Sequence, residues 1–334
     1  MSLLQDEADT ICSIEDVQAA AARLKGHAVR TPLLRNAMLD ILTGGTILLK
    51  PEMLQHIGAF KFRGAYNRLI QIAPADRPKG VVAWSSGNHA QGVALAARLI
   101  GLPATIIMPN DTPAMKLANT RALGARVRLY DRYSENREAI GRSIAEETGA
   151  TIVPPYDDRD VMAGQGTLGL EIVEDAAVQG LAIDDAVVCC GGGGLIAGTS
   201  TAIKALSPGT RVWAAEPATH DDTRRSLELG SRVANDPAAR SICDAILTPT
   251  PGKITFPVNR VRLAGGLAVT DEEVLDAVAF ARDVLKLIVE PGGAVALACV
   301  LSGKIETQGK VIAVVLSGGN VDPEVLAKAR RLAA

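Results

Sequence analysis

The sequence predicts an α/β protein of two domains, built on open, parallel-rich sheets flanked by helices. Three observations carry this expectation. A strand–loop–helix unit recurs from Gly80 onward, the strand candidates are aliphatic with hardly any aromatics, and glycine-rich loops stand where strands hand over to helices. Aliphatic runs without alternation are what strands covered on both faces by helices require. The length of 334 residues suits about two domains. A 48% hydrophobic and 22% charged composition provides a large core and excludes disorder over most of the chain.

The elements follow in order. Ser13-Ile-Glu-Asp16 sets a capping residue three positions ahead of an acid and leads into Val17, Ala20, Ala21 and Leu24, which marks a helix start. A strand is expected at 46–49 and a helix at 60–72. Strand 81–84 with a helix ending near Gly101, strand 104–108 with helix 113–123, strand 126–130 with helix 134–148, and strand 151–153 together make a four-stranded layer. This stretch, 80–157, is the expected small domain; 1–79 and 158–334 form the large one. There, helix 166–176, strand 186–190, helix 195–206 and strand 212–215 precede a second capping box, Thr270-Asp-Glu-Glu273, opening a helix to about Leu287. Helix 292–301, strand 311–316 and a last helix from Asp322 complete the order. Residues 231–260 lack periodicity and read as loops or a short helix.

With 35 Lys+Arg against 37 Asp+Glu, the net charge of -2 provides no electrostatic footprint for nucleic acid or an anionic membrane. Small molecules are the expected partners. The cysteines Cys12, Cys189, Cys190, Cys243 and Cys299 have no metal-type spacing, so buried thiols in a reducing compartment are expected. Acids at 6, 7, 9, 15 and 16 break any signal or transit peptide, and no apolar run has spanning length. A cytoplasmic protein is the resulting expectation.

Several loops have the composition of chemical sites. Gly191 to Gly194 stand between a strand and a helix, where bare amides suit an anion; a packing turn is the competing account. Gly192-Gly-Gly194-Leu-Ile-Ala197 also satisfies G-x-G-x-x-A, with Glu216 placed like a ribose-binding acid, which leaves a nicotinamide-dependent dehydrogenase open. Lys61 sits between Phe60 and Phe62, where desolvation and the charge of Arg63 would lower its pKa and make it a nucleophile. Ser85-Ser-Gly-Asn-His89 offers hydroxyls and amides at a helix start, suited to a carboxylate; a plain cap at Ser86 or Asn88 and a core histidine at His89 are the alternatives. Glu216 and Asp222, with the main-chain carbonyl of His220, make a hard-oxygen set for Mg²⁺ or Ca²⁺, against the alternative that the acids cap the next helix.

Gly58-Ala-Phe-Lys-Phe-Arg-Gly-Ala65, Ser85-Ser-Gly-Asn-His89, the four glycines, Val289-Glu-Pro-Gly-Gly-Ala294 and Leu316-Ser-Gly-Gly-Asn-Val-Asp322 occur in one order over nearly the whole chain. Together they resemble the serine/threonine dehydratase and serine racemase family of pyridoxal-phosphate enzymes, of fold type II. The resemblance implies pyridoxal 5'-phosphate as cofactor. It makes Lys61 the Schiff-base lysine, with Phe60, Asn88, Gly191, Gly192, Gly193, Gly194, Leu195, Glu290 and Ser317 around the cofactor, Asn88 on its ring hydroxyl and Ser317 on its ring nitrogen. It assigns Ser85, Ser86, Gly87, Asn88, His89 and Arg137 to the substrate carboxylate side, with a solvated helical arginine as the competing account of Arg137, Ser86 as a second proton carrier, and Glu216, His220 and Asp222 to a divalent cation. Asn320 and Asp322 read as turn and cap. Three positions depart from the family pattern: Ala59 for the usual Ser, Tyr156 for the racemase Asn, and Ala245 for a Gly.

The implied activity is β-elimination of water from a small L-hydroxyamino acid, threonine or serine, to a 2-oxo acid and ammonia. A serine racemase and a 3-hydroxyaspartate or hydroxyectoine-pathway dehydratase are the alternatives. The end of the chain soon after the last motif implies no regulatory domain and a catabolic role, and the family implies a homodimer.

Overall fold

A computed structural model describes residues 3–329. Nine strands occur among them: β1 (Thr46–Pro51), β2 (Val81–Trp84), β3 (Ala104–Pro109), β4 (Arg126–Tyr130), β5 (Thr151–Ile152), β6 (Asp185–Cys189), β7 (Arg211–Pro217), β8 (Gly265–Val269) and β9 (Val311–Leu316). They form two sheets with every ladder parallel, one in the order β1-β9-β6-β7-β8 and one in the order β4-β3-β2-β5. The pairings Leu48↔Ala313 and Val187↔Val314 hold the centre of the larger sheet. Every residue of β6 is buried, as a strand covered on both faces must be. Helix Pro291–Leu301 is apolar all round and buried from Pro291 to Val300, which places it inside the core.

The helix that opens with Lys61 follows β1 of the larger sheet, yet its Phe62, Ala65, Tyr66 and Leu69 share a core with Val81, Ala83 and Ile106 of the smaller sheet. This lodges Lys61 between the two sheets. Both capping boxes form as read, at Ser13 and Thr270. No helix among the described residues is long and apolar enough to cross a membrane.

Four boundaries differ from the sequence reading. The helix expected over 166–176 runs Arg159–Val178, because Asp158 caps it by accepting the Val161 N–H at 2.9 Å. Its glycines are close-approach points, not breakers: a Cβ on Gly166 would lie 2.7 Å from the Gly198 carbonyl. The helix expected from 134 starts at Arg137, since Asn136 takes the cap while Glu135 accepts the Asp131 N–H of the preceding turn. The helix expected to reach Leu287 is α-helical only to Phe280 and ends in a π turn, Ala281–Leu285, stopped by Lys286 at φ 59°. The unperiodic stretch holds a 3-10 turn, Asp244–Ile246, and a full helix, Thr255–Arg262. Helices Leu3–Ile11, Ala37–Thr43 and Asp222–Leu229 and strand β8 were not anticipated from the sequence.

Candidate active site

A cavity of about 280 Å³ opens where β2, β6 and β9 end, lined by Ser85 after β2, Cys190 after β6 and Ser317 after β9. Carboxyl ends of parallel strands are where open α/β sheets leave room for ligands. The structure brings to this one wall Phe60, Lys61, Ser85, Ser86, Gly87, Asn88, His89, Arg137, Gly191, Gly192, Gly193, Gly194, Leu195, Glu290 and Ser317. They come from loops and helix starts attached to both sheets.

Lys61 is the first residue of helix Lys61–Ile70, and its Nζ donates to the Pro155 carbonyl at 2.5 Å. Burial lowers its pKa to about 8. The expected contribution of Arg63 is absent. Arg63 turns into a buried ion network with Glu52 at 2.8 and 2.9 Å and Glu171 at 2.7 and 2.9 Å, where its charge is neutralised. Desolvation alone depresses the lysine.

The four glycines form a cradle whose amides face outward by simple geometry. The Gly192 carbonyl accepts from Thr255 Oγ1 at 2.6 Å and Gly252 N at 3.1 Å, and the Gly193 carbonyl from Asn259 Nδ2 at 3.3 Å and Ala197 N at 2.9 Å. In a trans peptide the next N–H points the opposite way, so the Gly193 and Gly194 amides turn from that packed wall. Gly193, at φ 92°, is the N-cap of helix Gly194–Leu206 and no side chain caps it. A Cβ would strike Tyr156 carbons 2.4 Å from Gly192 and the Tyr156 carbonyl 2.8 Å from Gly194. A bare, uncapped helix N-terminus with this enclosure suits a phosphate.

Across the cavity, helix Asn88–Ile100 has Gly87 as its N-cap and no side-chain cap bond, so neither Ser86 nor Asn88 serves as the cap. Gly87 N–H donates to Ser85 Oγ at 3.2 Å. Asn88 Nδ2 donates to Glu290 Oε1 at 2.6 Å and Asn88 Oδ1 accepts from Asn320 Nδ2 at 2.7 Å, which fixes the amide's orientation and leaves one N–H. Asn320 also holds the Ile57 carbonyl at 2.8 Å, so it does more than shape a turn. Glu290 begins helix Pro291–Leu301 without capping it, and burial raises its carboxyl to about 7. His89 Nε2 meets the Val153 carbonyl at 2.9 Å and must carry the proton there, leaving Nδ1 a buried acceptor with no partner. Burial, then Lys61, lowers His89 to about 3, so the ring is neutral.

Glu216, His220 and Asp222 lie outside this wall. Glu216 accepts the Thr223 N–H at 2.9 Å and the Arg224 N–H at 2.8 Å, which is the helix-capping arrangement. Asp222 Oδ1 accepts from Asn235 at 2.6 Å, while its Oδ2 is buried with no partner. Burial raises Glu216 to about 8 and Asp222 to about 6. His220 uses its ring on Thr219 Oγ1 at 3.1 Å. No cluster of three His, Cys, Asp or Glu side chains able to hold a metal occurs among the described residues.

Sequence reasoning missed Lys116 and Asn119, cavity residues on a helix that carries no motif, and Thr255 and Asn259, which orient the cradle from the unperiodic stretch. Asp244, beside the noted Ala245, also lines the wall.

A family model described as pyridoxal-phosphate dependent enzyme matches residues 24–318. L-threo-3-hydroxyaspartate ammonia-lyase of Pseudomonas sp is 45% identical over 314 residues, 94% of this chain and 97% of that protein. L-threonine ammonia-lyase of Thermotoga maritima is 42% identical over 94% of this chain and 77% of that protein. The structure of maize serine racemase superposes with a TM-score of 0.89 at 36% identity, covering 95% of this chain and 96% of the other.

Proposed function

This chain belongs to the pyridoxal-phosphate dependent enzymes, and from that membership we propose a lyase that removes water from a small L-3-hydroxyamino acid and releases a 2-oxo acid and ammonia. The observation that carries it is a desolvated lysine lining one cavity with an uncapped glycine cradle and the Ser85-to-His89 loop. Lyase relatives at 45% and 42% identity support the reaction type.

The residues present fit the cofactor. The cradle amides would take its phosphate, Lys61 its aldehyde carbon, the remaining Asn88 N–H its ring hydroxyl, and the Ser317 hydroxyl its ring nitrogen. Bound there, the cofactor supplies the electron sink that acidifies the substrate Cα–H, and a neutral hydroxyl at the nitrogen favours prompt loss of a β-substituent. Lys61 Nζ takes the Cα proton; a pKa of about 8 leaves part of the amine free at neutral pH. The amides at the start of helix Asn88–Ile100 hold the substrate carboxylate. Pro155, Tyr156 and Trp84 add apolar surface to the same cavity.

Ser86, in the same wall, is the residue a racemase would use to return the proton on the opposite face, and the structural similarity to a serine racemase keeps that second reading in the test. Residues 80–157 act as a small domain that carries the Ser85-to-His89 loop over the substrate; equal spacing of the two sheets with and without substrate would refute this. A divalent cation beside Asp222, Glu216 and the His220 carbonyl is supported by the buried, unpartnered Asp222 Oδ2. A homodimer is supported by the exposed apolar stripe Met38, Ile41 and Leu42 on helix Ala37–Thr43. A cytoplasmic setting is supported by five free, buried cysteines.

The test is 2-oxo acid release from L-serine, L-threonine and both 3-hydroxyaspartates, with chiral analysis of the remaining amino acid. Oxo acid lost in Lys61→Ala is the expected result. Inverted amino acid without oxo acid would make the protein a racemase, and borohydride reduction that labels no Lys61 peptide would overturn the role of that lysine.

A further inference from the structure

We propose that Gln165 is a positioning residue for Lys61: its side chain captures a backbone N–H in the first turn of the Lys61 helix and so sets where the lysine amine stands. This rests on the reading above that Lys61 holds the cofactor, and goes beyond it in naming a residue that does not line the cavity. In a regular helix each N–H donates to the carbonyl four positions back. In helix Lys61–Ile70 the fourth residue is Gly64, and its N–H donates to Gln165 Oε1 at 3.1 Å, both groups buried. The Phe60 carbonyl, which that N–H would ordinarily reach, accepts from Arg63 N at 3.0 Å. Phe60 has φ -55° and ψ -23°, the dihedrals of a 3-10 turn. Lys61 therefore projects from a tightened turn, held tight by a residue 101 positions from Gly64.

Gln165 is 1% exposed and stands where two helices come closest. A Cβ on Gly164 would lie 2.7 Å from both the Arg63 carbonyl oxygen and the Gly64 Cα, so helix Arg159–Val178 meets the Lys61 helix backbone to backbone. Arg63, Asn67 and Arg68 also bond across this seam, to Glu171, to the Asp160 carbonyl and to Asp158. Those bonds use side chains of the Lys61 helix, whereas Gln165 acts on its backbone. The same stretch spaces the other half of the site. A Cβ on Gly166 would lie 2.7 Å from the Gly198 carbonyl oxygen, and one on Gly169 2.7 Å from that of Thr199, both in the helix that starts at the glycine cradle. Close-packed backbones leave no slack to absorb a shift.

Without the Gln165 oxygen, the Gly64 N–H is left buried and unpaired, and the Phe60 carbonyl one turn back becomes its acceptor. That exchange replaces a turn of 3.0 residues by one of 3.6, a change of about 20° per residue where Lys61 leaves the backbone.

The experiment mixes pyridoxal phosphate with the cofactor-free chain and follows the visible absorbance that marks capture by Lys61, in which the amine nitrogen replaces the aldehyde oxygen and one water leaves. The rate at saturation reads the placement of Lys61, and the half-saturating concentration reads the phosphate cradle. In Gln165→Leu the rate at saturation falls by about 10- to 100-fold, the scale of a misplacement near 1 Å, while the half-saturating concentration moves by less than about twofold. Gln165→Met, of matching length and with no strong acceptor, repeats the result where Leu does not fold. Gln165→Glu keeps an oxygen acceptor and recovers most of the rate. Leu170→Ala, a buried truncation on the same helix, lowers the melting temperature and leaves capture at its full rate. An unchanged rate in Gln165→Leu and Gln165→Met overturns the inference, as does an equal slowing in Leu170→Ala. Absence of oxo acid from L-serine and L-threonine in the wild type would refute the lyase reading alone, because capture needs no substrate.

Discussion

Asn88 donates to Glu290 at 2.6 Å, joining residues 202 positions apart and tying the helix after β2 in the smaller sheet to a core helix of the larger one. The bond settles two things at once. It turns the Asn88 amide so that its remaining N–H is free, and it gives a buried carboxyl one donor in a setting that otherwise penalises its charge.

A pH dependence follows from Glu290. Burial raises its carboxyl to about 7 in the folded chain from 4.5, so between those pH values the native state binds the extra proton and stability falls as pH rises. For the cofactor-free protein, Glu290 contributes a loss on the order of 3 kcal/mol from pH 4.5 to above 7. Urea unfolding at pH 5 and pH 8 measures it; Glu290→Gln should flatten this part of the slope, and an identical slope in the variant would sink the assignment.

Arg63 is a stability residue, not a partner of Lys61. It is 1% exposed between Glu52, 0% exposed, and Glu171. Arg63→Leu would leave Glu52 buried without its counter-charge and should cost about 3–5 kcal/mol by urea unfolding of the cofactor-free protein. A loss below about 1 kcal/mol would show that the network relaxes or hydrates.

The cradle tolerates no side chain. In Gly192→Ala the new methyl would meet the Tyr156 ring at 2.4 Å, and the ring or the loop must move. Pyridoxal-phosphate affinity, followed by fluorescence titration, should fall about tenfold or more with the far-ultraviolet circular dichroism unchanged. Unaltered affinity would show that the phosphate binds elsewhere.

Divalent cation should act on stability through Asp222. Added Mg²⁺ or Ca²⁺ should raise the melting temperature of the wild-type protein, as binding to the native state must, and leave Asp222→Asn unmoved. An equal rise in both proteins would place the cation at some other site.

Much of this was legible in the chain because it depends on local rules. Both capping boxes, the strand–loop–helix repeat and the glycine run need only neighbouring residues to be recognised, and β4 and β9 fall at their expected positions. Helix Thr255–Arg262 was not legible. It contains Pro257, and its value lies in Thr255 and Asn259 reaching the Gly192 and Gly193 carbonyls more than sixty positions away. The motif residues were likewise readable as a set, while the network at Arg63 was not, since Glu171 lies 108 positions from it.

By itself the sequence determined the α/β class, the glycine cradle and Lys61, because hydrophobic period, backbone freedom and residue chemistry are properties of short segments. Only the tertiary structure decided what these groups experience. It removed Arg63 from the lysine and left burial to lower the pKa, turned Glu216 onto backbone amides, and set Asn320 behind Asn88. Charge pairing and desolvation depend on distance in space, and distance in space is fixed by how the two sheets meet.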